Sequence, residues 1–188
     1  MRVSGGIARG RRLKTLKHRI LRPTTERVRQ AIFNILGSER IENKDVLDLF
    51  AGSGALGIDA ISRGAVRAEF VEQNKIMCNL IKKNLAELRL LKYTKVRHGD
   101  VLKEIETILN EGKKFGLIFA DPPYGEGFVN KVLSQVASGD ILEKEGVFVL
   151  EHSKNEMPEP AYGNIVKVFS RRYGDTLVSL FARGQYDI

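Results

Sequence analysis

Five short segments along the middle of the chain have the length of a strand, and each leaves room for a helix before the next. Four of them are mainly apolar, whereas 94–98 has Val96 as its only apolar residue. The five segments span 46–50, 68–72, 94–98, 116–120 and 146–151. The segments between them carry apolar residues at helical spacing, as in the stretch that predicts a long helix over 74–88. This alternation predicts a doubly wound, Rossmann-like α/β fold with a mainly parallel sheet.

The pattern changes at both ends of the chain. Near the carboxyl terminus, two apolar segments, 164–173 and 176–183, flank Gly174-Asp175, a pair typical of a tight turn. They predict an antiparallel hairpin at the edge of the sheet. Near the amino terminus, Pro23 and the threonines after it predict the start of a helix that runs to Leu36.

The first residues interleave apolar side chains with cations. Val3, Ile7 and Leu13 alternate with arginines, and three glycines interrupt the segment. This pattern predicts a short β-hairpin that displays basic side chains. We therefore expect one boundary, between a basic N-terminal extension over 1–40 and a βα core over 41–188.

The positive charge of the chain is concentrated at its amino terminus. The net charge is +8, and residues 1–22 hold eight cations and no acid, whereas the rest of the chain holds 23 charges of each sign. Concentrated positive charge is typical of proteins that bind a polyanion. A solvated basic tail is the alternative interpretation.

Composition narrows the class of protein further. No segment approaches the ~20 apolar residues of a membrane helix, and the amino terminus lacks the apolar stretch of a secretory signal. Cys78 is the only cysteine, which excludes an intrachain disulfide, and three scattered histidines make a poor zinc set. We expect a compact cytoplasmic protein without a metal, acting as a monomer.

A glycine-rich turn follows the first predicted strand. Gly52, Gly54 and Gly57 fit the GxGxxG spacing between a strand and a helix. Without Cβ atoms, such a turn lets a ligand lie against main-chain N–H groups at a helix N-terminus. Alone, the motif fits a dinucleotide, another nucleoside cofactor or a purely structural turn.

Three acids at the ends of consecutive predicted strands favour one of these cofactors. Asp48 is awkward beside a pyrophosphate but suits a ligand that carries an amino group and a sulfonium. Glu72 lies 20 residues after Gly52, where an acid can accept hydrogen bonds from ribose hydroxyls. Asp100 follows the third strand, near the expected adenine amino group, although it could serve only as a helix cap. S-adenosylmethionine (SAM) fits these acids better than NAD.

The fourth predicted strand leads into Asp121-Pro122-Pro123-Tyr124 at the same crevice. The two prolines fix the backbone. Hydrogen bonds from an exocyclic base amine to the Asp121 carboxylate and the Pro122 carbonyl would aim the nitrogen lone pair, and the Tyr124 ring can stack on an unstacked base. Methyl transfer in line from sulfur to nitrogen needs no covalent nucleophile. The motif therefore indicates methylation of a nucleobase amine.

Four stretches together resemble a known family, the bacterial 16S rRNA guanine-N2 methyltransferases of the RsmD type, within the class I SAM-dependent methyltransferases. The stretches are 3–12, 22–36, 48–64 and 121–124. Gln30 stands where an acid is expected in this family. The resemblance implies SAM as the cofactor, a guanine of 16S rRNA as the substrate, and the small ribosomal subunit or its late precursor as the partner.

The resemblance also assigns residues to these roles. The catalytic residues would be Asp121, Pro122, Pro123 and Tyr124. The cofactor-binding residues would be Thr24, Asp48, Phe50, Gly52, Ser53, Gly54, Glu72, Gln73, Asp100 and Val101. The RNA contacts would be the basic residues Arg2, Arg9, Arg11, Arg12, Lys14, Arg19 and Arg22.

Three other functions stay open at this point. An adenine-N6 methyltransferase of DNA or RNA shares the 121–124 motif but usually adds a target-recognition region, for which 188 residues leave little room. A dinucleotide-dependent oxidoreductase is disfavoured by Asp48 and by the lack of a substrate domain. A non-catalytic RNA-binding module is disfavoured by the three strand-end acids and by the 121–124 motif.

Overall fold

The computed structural model describes residues 1–16 and 26–184. Three predicted site residues, Arg19, Arg22 and Thr24, lie outside these ranges. The strands are β1 (Asp45–Leu49), β2 (Arg67–Glu72), β3 (Thr94–His98), β4 (Phe115–Ala120), β5 (Leu142–Ser153), β6 (Ala161–Tyr162), β7 (Ile165–Tyr173) and β8 (Thr176–Arg183). The helices are α1 (Glu26–Leu36), α2 (Ala55–Ser62), α3 (Lys75–Glu87), α4 (Val101–Asn110) and α5 (Phe128–Gly139).

The strands form one sheet in the order β3-β2-β1-β4-β5-β8-β7-β6. Strands β1 to β5 pair in parallel, and β8, β7 and β6 add antiparallel pairs at one edge. The predicted α/β sheet and its C-terminal hairpin are confirmed. The chain reverses its direction of travel between β1 and β4, and open α/β sheets bind ligands at the carboxyl ends of the strands at such a point.

Helices cover both faces of the parallel part of the sheet. One apolar cluster joins α1, α2 and α3 to one face, and a second joins α4 and α5 to the other. Strand β4 is buried at every position, which explains why its sequence is an unbroken apolar run. The side chains at the strand ends are therefore held by two packed layers.

Strand β5 is longer than the predicted 146–151. It begins at Leu142, and its pairing with β4 shifts register between Phe115 and Leu117. Glu145 adopts a φ of 65° within this irregular stretch. The polar residues over 143–145 were not included in the predicted strand, because an irregular strand start breaks the apolar run. The short strand β6 was not predicted.

The N-terminal segment is a closed loop and not the predicted pair of strands. One antiparallel bridge joins Arg2 to Arg12, and Val3 N donates to Arg11 O at 2.9 Å. A 3-10 turn over Gly6–Ala8 fills the loop. The antiparallel sense of the prediction is confirmed, but the glycines favour turns over a continuous ladder.

Apolar side chains dock this loop on the core. Val3 and Leu13 are each 2% exposed and belong to the same apolar cluster as Phe33 of α1 and Phe119 of β4. Ile7, expected to alternate with the cations, is instead 86% exposed at the tip of the loop. The N-terminal extension thus shares its core with the βα region, and the division at residue 40 stays a proposal about chain organisation.

The described residues lack two features that would define other classes of protein. None of the helices they form is both long and apolar enough to cross a bilayer. Across 1–16 and 26–184, no group of three or more His, Cys, Asp or Glu side chains is arranged to hold a metal ion.

Candidate active site

The glycine turn between β1 and α2 has the backbone that its sequence predicts. Gly52 and Gly54 adopt φ values of 55° and 78°, in the left-handed region that favours glycine. A Cβ on Gly57 would lie 2.4 Å from the Phe70 ring, so this glycine allows α2 to pack closely on β2. Beside Gly52, only Phe50 O lies within 4 Å of a would-be Cβ, at 3.9 Å, which leaves open space at the turn.

Asp48 is buried directly beneath this turn. Its Oδ2 accepts a hydrogen bond from Gly57 N at 2.9 Å. Burial raises the pKa of Asp48 to about 8; the Gly57 bond opposes this, and the charges of Asp121 and Glu72 add to it. These couplings bring together three of the acids that the sequence singled out.

Glu72 connects the end of β2 to the turn. Its Oε2 accepts from Gly52 N at 2.9 Å, and its Oε1 accepts from Asn74 N at 2.7 Å. Glu72 is 9% exposed. Among the described residues, no ion pair involves Asp48 or Glu72. This edge of the sheet therefore holds buried acids without a counter-cation from the described chain.

Asp100 and Val101 follow β3, and Gln73 follows the neighbouring strand β2. Asp100 Oδ1 accepts from Lys103 N at 3.2 Å, so this side chain caps α4, the alternative left open by the sequence. Val101 is buried in the core. Gln73 is exposed, and its carbonyl oxygen lies 3.1 Å from His98 Nε2. Asp100 thus has a structural role whether or not it contacts a ligand.

Phe50 and Ser53 flank the glycine turn. Phe50 has a φ of 59°, and its ring packs edge-on against Phe128 with centroids 5.3 Å apart. Ser53 O accepts from Asn84 Nδ2 at 3.3 Å, which links the turn to α3. Both residues are partly exposed beside Gly52, as expected for the rim of a ligand site.

The segment after β4 lies at the same edge. Pro122 is buried, Asp121 and Pro123 are partly exposed, and Tyr124 is 38% exposed. The Tyr124 hydroxyl lies 3.0 Å from Thr176 Oγ1, at the start of β8. The hairpin therefore fixes one end of the ring.

Glu156 supports the same segment and was not predicted. Its Oε2 accepts from Gly125 N at 2.9 Å, and its Oε1 accepts from Gly127 N at 3.4 Å. One carboxylate thus bridges two backbone N–H groups just after Tyr124. No local pattern could reveal this contact, because the partners are about thirty residues apart in the chain.

The N-terminal cations differ in their surroundings. The Lys14 ammonium pairs with Glu87, and Arg11 Nη2 donates to Glu87 O, both on α3. Arg2 Nη1 donates to Gly10 O at 2.7 Å. The side chains of Arg9 and Arg12 make no ion pair with any described residue. The loop therefore presents three cations that contact α3 or the loop backbone, and two, Arg9 and Arg12, that form no ion pair with a described residue.

The doubly wound sheet, with its glycine turn after β1 and acids at the ends of β1 and β2, is the fold of the class I methyltransferases. The Asp-Pro-Pro-Tyr segment after β4 lies at the same edge of the sheet. A solved structure titled "Putative methyltransferase yhhF from Escherichia coli" superposes with a TM-score of 0.85 at 29% identity, covering 99% of each chain. The family model described as "Conserved hypothetical protein 95" matches residues 1–182, and this chain belongs to that family, the RsmD type that its motifs resemble.

Two relatives illustrate the likeness. "Putative rRNA methyltransferase YlbH" of Bacillus subtilis (strain 168) is 36% identical over 184 residues, which is 97% of this chain and 99% of that protein. "Ribosomal RNA small subunit methyltransferase D" of Escherichia coli (strain K12) is 33% identical over 159 residues, 84% of this chain and 78% of that protein. The family model, over residues 1–182, covers the basic loop, the glycine turn and the segment after β4.

Proposed function

We propose that this protein transfers a methyl group from SAM to the exocyclic N2 amine of a guanine in 16S rRNA. The substrate is the small ribosomal subunit or its late precursor, and the protein acts as a cytoplasmic monomer. The names of the relatives support ribosomal RNA as the substrate class. Methylation of guanine-N2 follows from the resemblance of the motifs.

One observation carries the proposal. β1 pairs with β2 on one side and with β4 on the other, with Asp48 opposite Phe70 and Leu49 opposite Ala120, so the acceptor motif that follows Ala120 lies at the same sheet edge as Asp48 and Glu72. The charges of Asp121 and Glu72 accordingly act on Asp48. A transfer between two ligands requires their sites to adjoin, because alignment supplies much of the rate enhancement. Two binding sites for independent ligands would not need this proximity.

The residues at the turn fit SAM. Open space beside Gly52 admits a ligand against the backbone. Asp48 and Glu72 offer acceptors to the amino group and the ribose hydroxyls, with Phe50, Ser53, Gly54, Gln73, Asp100 and Val101 at the rim. When bound, SAM supplies an electrophilic methyl group on a sulfonium. The positive charge of this cofactor suits buried acids that form no ion pair with any described residue.

The segment after β4 would hold the target base. The Asp121 carboxylate and the Pro122 carbonyl accept hydrogen bonds from the amine, which aims its lone pair. As the N–C bond forms and the S–C bond breaks, positive charge develops on the nitrogen, and the nearby carboxylate stabilises it until the proton leaves to water. Pro123 limits backbone motion, and the Tyr124 ring stacks on the base.

The basic loop would position the RNA. Phosphate contacts from the N-terminal cations fix the register of a nucleic acid without reading its sequence. Arg9 and Arg12 are the described cations best suited to this role, because neither is engaged in an ion pair with another described residue. Arg2, Arg11 and Lys14 would join them after exchanging their contacts within the protein.

One experiment tests the reaction and its substrate together. Purified protein is incubated with methyl-labelled SAM and with small subunits, free 16S rRNA or duplex DNA, and the labelled nucleoside is identified by chromatography. The expected product is N2-methylguanosine from small-subunit RNA. Methylated adenine would replace the proposal with an adenine-N6 activity, and NAD binding without SAM binding would exclude methyl transfer.

A further inference from the structure

A polar pocket lies between the N-terminal loop and helices α1 and α2, away from the glycine turn. Its volume is about 380 Å³, and its lining includes Ser4, Gly5, Arg9, Gln30, Asn34 and Arg63. This volume falls near the lower end of pockets that hold small organic ligands, ~300–1,000 Å³. The two arginines give the lining a charge of +2, and no acid contributes to it.

Arg63 is held in place before any ligand arrives. Its guanidinium lies 4.6 Å from the centroid of the Phe33 ring, and its Nη2 donates to Ser4 Oγ at 3.1 Å. A guanidinium with a fixed plane loses little freedom on binding and presents a fork of donors that matches a phosphate. The described part of the chain supplies no carboxylate within ion-pair distance of it.

A buried acid near the pocket is already occupied. Asp59 lies 2.9 Å from Arg29 Nε through its Oδ2, and its oxygens accept from Ser4 N at 2.7 Å and from Ser4 Oγ at 2.9 Å. This pair is fully buried beneath the loop. Asp59 therefore forms its ion pair with Arg29, and the charge of Arg63 acts on it only from beyond ion-pair distance. Neither Arg9 nor Arg63 has a described carboxylate within ion-pair distance, so both can still contact a ligand.

Two sequence features keep the pocket open and positive. Gly5 has an extended backbone, but a Cβ there would lie 2.3 Å from Arg63 Cζ, so only glycine lets the loop lie against the guanidinium. Gln30 contributes a neutral amide to the lining, so nothing there offsets the two arginine charges. Both features favour an anion as the ligand.

We propose that this pocket binds one nucleotide of the RNA backbone, with its phosphate on Arg9 and Arg63 and its ribose hydroxyl on the amides of Gln30 and Asn34. The inference rests on the proposed RNA substrate. It adds a phosphate site that is separate from the site of methyl transfer. Its role is to set the register of the RNA on the protein.

The test measures RNA binding by full-length variants in the absence of SAM. A fluorescently labelled single-stranded RNA of ~20 nucleotides is titrated between about 50 and 200 mM salt. Arg9→Gln and Arg63→Gln should each weaken binding about threefold to tenfold and make the salt slope shallower by about 0.7 per lost contact. Arg67→Gln removes one exposed cation outside the pocket and should change the salt slope little.

Two further variants separate the pocket from bulk charge. Gly5→Ala displaces the Arg63 guanidinium without changing any charge, and it should lower affinity as Arg63→Gln does. Gln30→Glu should weaken binding more than Asn110→Asp, which adds the same charge on distant α4. Thermal unfolding of every variant verifies that the loop still folds on the core.

The outcomes separate this inference from the proposed function. The inference is overturned if folded Gly5→Ala and Arg9→Gln bind RNA with the affinity and salt slope of the wild type, even when the wild type methylates small subunits. It is equally overturned if Arg67→Gln weakens binding as much as Arg9→Gln does. If the wild type methylates no RNA but the pocket variants lose affinity as described, the pocket site stands and the methyltransferase proposal fails.

Discussion

Two groups of carboxylates lie on the same sheet and differ in what surrounds them. At the end of β1 and β2, Asp48 and Glu72 are buried and accept hydrogen bonds from backbone N–H groups. Arg97 of β3 pairs with Glu69 of β2 and with Glu111, which follows α4. Its Nε lies 2.6 Å from Glu69 Oε2, and its Nη2 lies 2.5 Å from Glu111 Oε2. The first group has no described counter-cation, whereas the second group is built around one.

The pKa values follow this difference. Burial raises the pKa of Asp48 to about 8, and neighbouring acids add to the effect against the Gly57 hydrogen bond. Hydrogen bonds from Arg97, and then from Lys113, lower the pKa of Glu111 to about 2. A cationic ligand stabilises the ionised form of a buried acid that has no counter-cation, whereas it adds little to carboxylates that are already paired with a cation. The contrast distinguishes a ligand site from a structural ion network.

Removal of the acceptor carboxylate should give the largest effect. Asp121→Ala should lower the turnover number by ~10²-fold or more, the scale for losing one key transition-state contact. SAM affinity, measured by calorimetry, should stay within about tenfold, because the carboxylate acts on the target amine. Glu39→Ala, which removes an exposed acid from the turn after α1, is the matched control and should change neither quantity. Near-full activity of Asp121→Ala would make Asp121 structural.

Removal of the central cation of the compensated cluster should affect stability instead. Arg97→Met leaves Glu69 and Glu111 without their partner, and we expect the free energy of unfolding to fall by about 3 kcal/mol, the lower end for a broken buried pair, because both acids are partly exposed. The melting temperature should drop by about 5–10 °C in thermal unfolding. Below the transition, SAM affinity should equal that of the wild type. A loss of SAM affinity in the folded variant would contradict the separation of the two clusters.

The acid group was predictable from the sequence, and its supports were not. Asp48, Glu72 and Asp121 each lie within one residue of the carboxyl end of a parallel strand. Because the carboxyl ends of parallel strands lie at one edge of the sheet, local sequence patterns were sufficient to predict that these acids are neighbours. Glu156 and Thr176 reach the catalytic segment from distant parts of the chain through loop and hairpin geometry. Nothing in their local sequence announces those contacts.

The N-terminal segment shows the same limit. Alternating apolar and basic residues predicted a hairpin that displays cations; the burial of Val3 and Leu13 on the core was not part of that prediction. The glycines instead produce a loop with one bridge. Gly6 lets the loop approach α2 closely, because a Cβ there would lie 1.7 Å from Ser62 O, and a Cβ on Gly5 would displace the Arg63 guanidinium. Gly54 is also constrained by its neighbours. A Cβ there would lie 3.2 Å from Ile81, so a larger side chain would disturb the turn itself as well as the ligand space.

The raised pKa of Asp48 predicts an effect on stability that depends on pH. The folded protein keeps the proton up to about pH 8, whereas the unfolded chain releases it near 3.8. The unfolded state therefore binds fewer protons between these values, and this group makes stability fall as pH rises through that window, by at most about 1.4 kcal/mol per pH unit. Asp48→Asn keeps an acceptor for Gly57 N and should abolish this contribution, so its stability advantage over the wild type should grow with pH in urea unfolding.

The same group links cofactor binding to protons. A cationic ligand lowers the pKa of Asp48, so binding of SAM below about pH 8 should release a proton from the wild type and none from Asp48→Asn. Calorimetry in buffers with different ionisation enthalpies measures this release. Equal proton release by both proteins would show that Asp48 does not face the cofactor.

The smallest effect should come from the hydroxyl of Tyr124. Its only proposed task is to fix the ring through Thr176 Oγ1, 3.0 Å away, while the ring itself stacks on the base. Tyr124→Phe should therefore reduce the turnover number only a few-fold, consistent with the loss of about 1 kcal/mol for one hydrogen bond. Thr176→Val should reduce the turnover number by the same factor. The double variant should reduce it no further than either single variant, because all three remove the same hydrogen bond between Tyr124 and Thr176. Tyr124→Ala should reduce turnover much further. Additive losses in the double variant would mean that the hydroxyl contacts the substrate directly, and that the hairpin and the catalytic segment act independently.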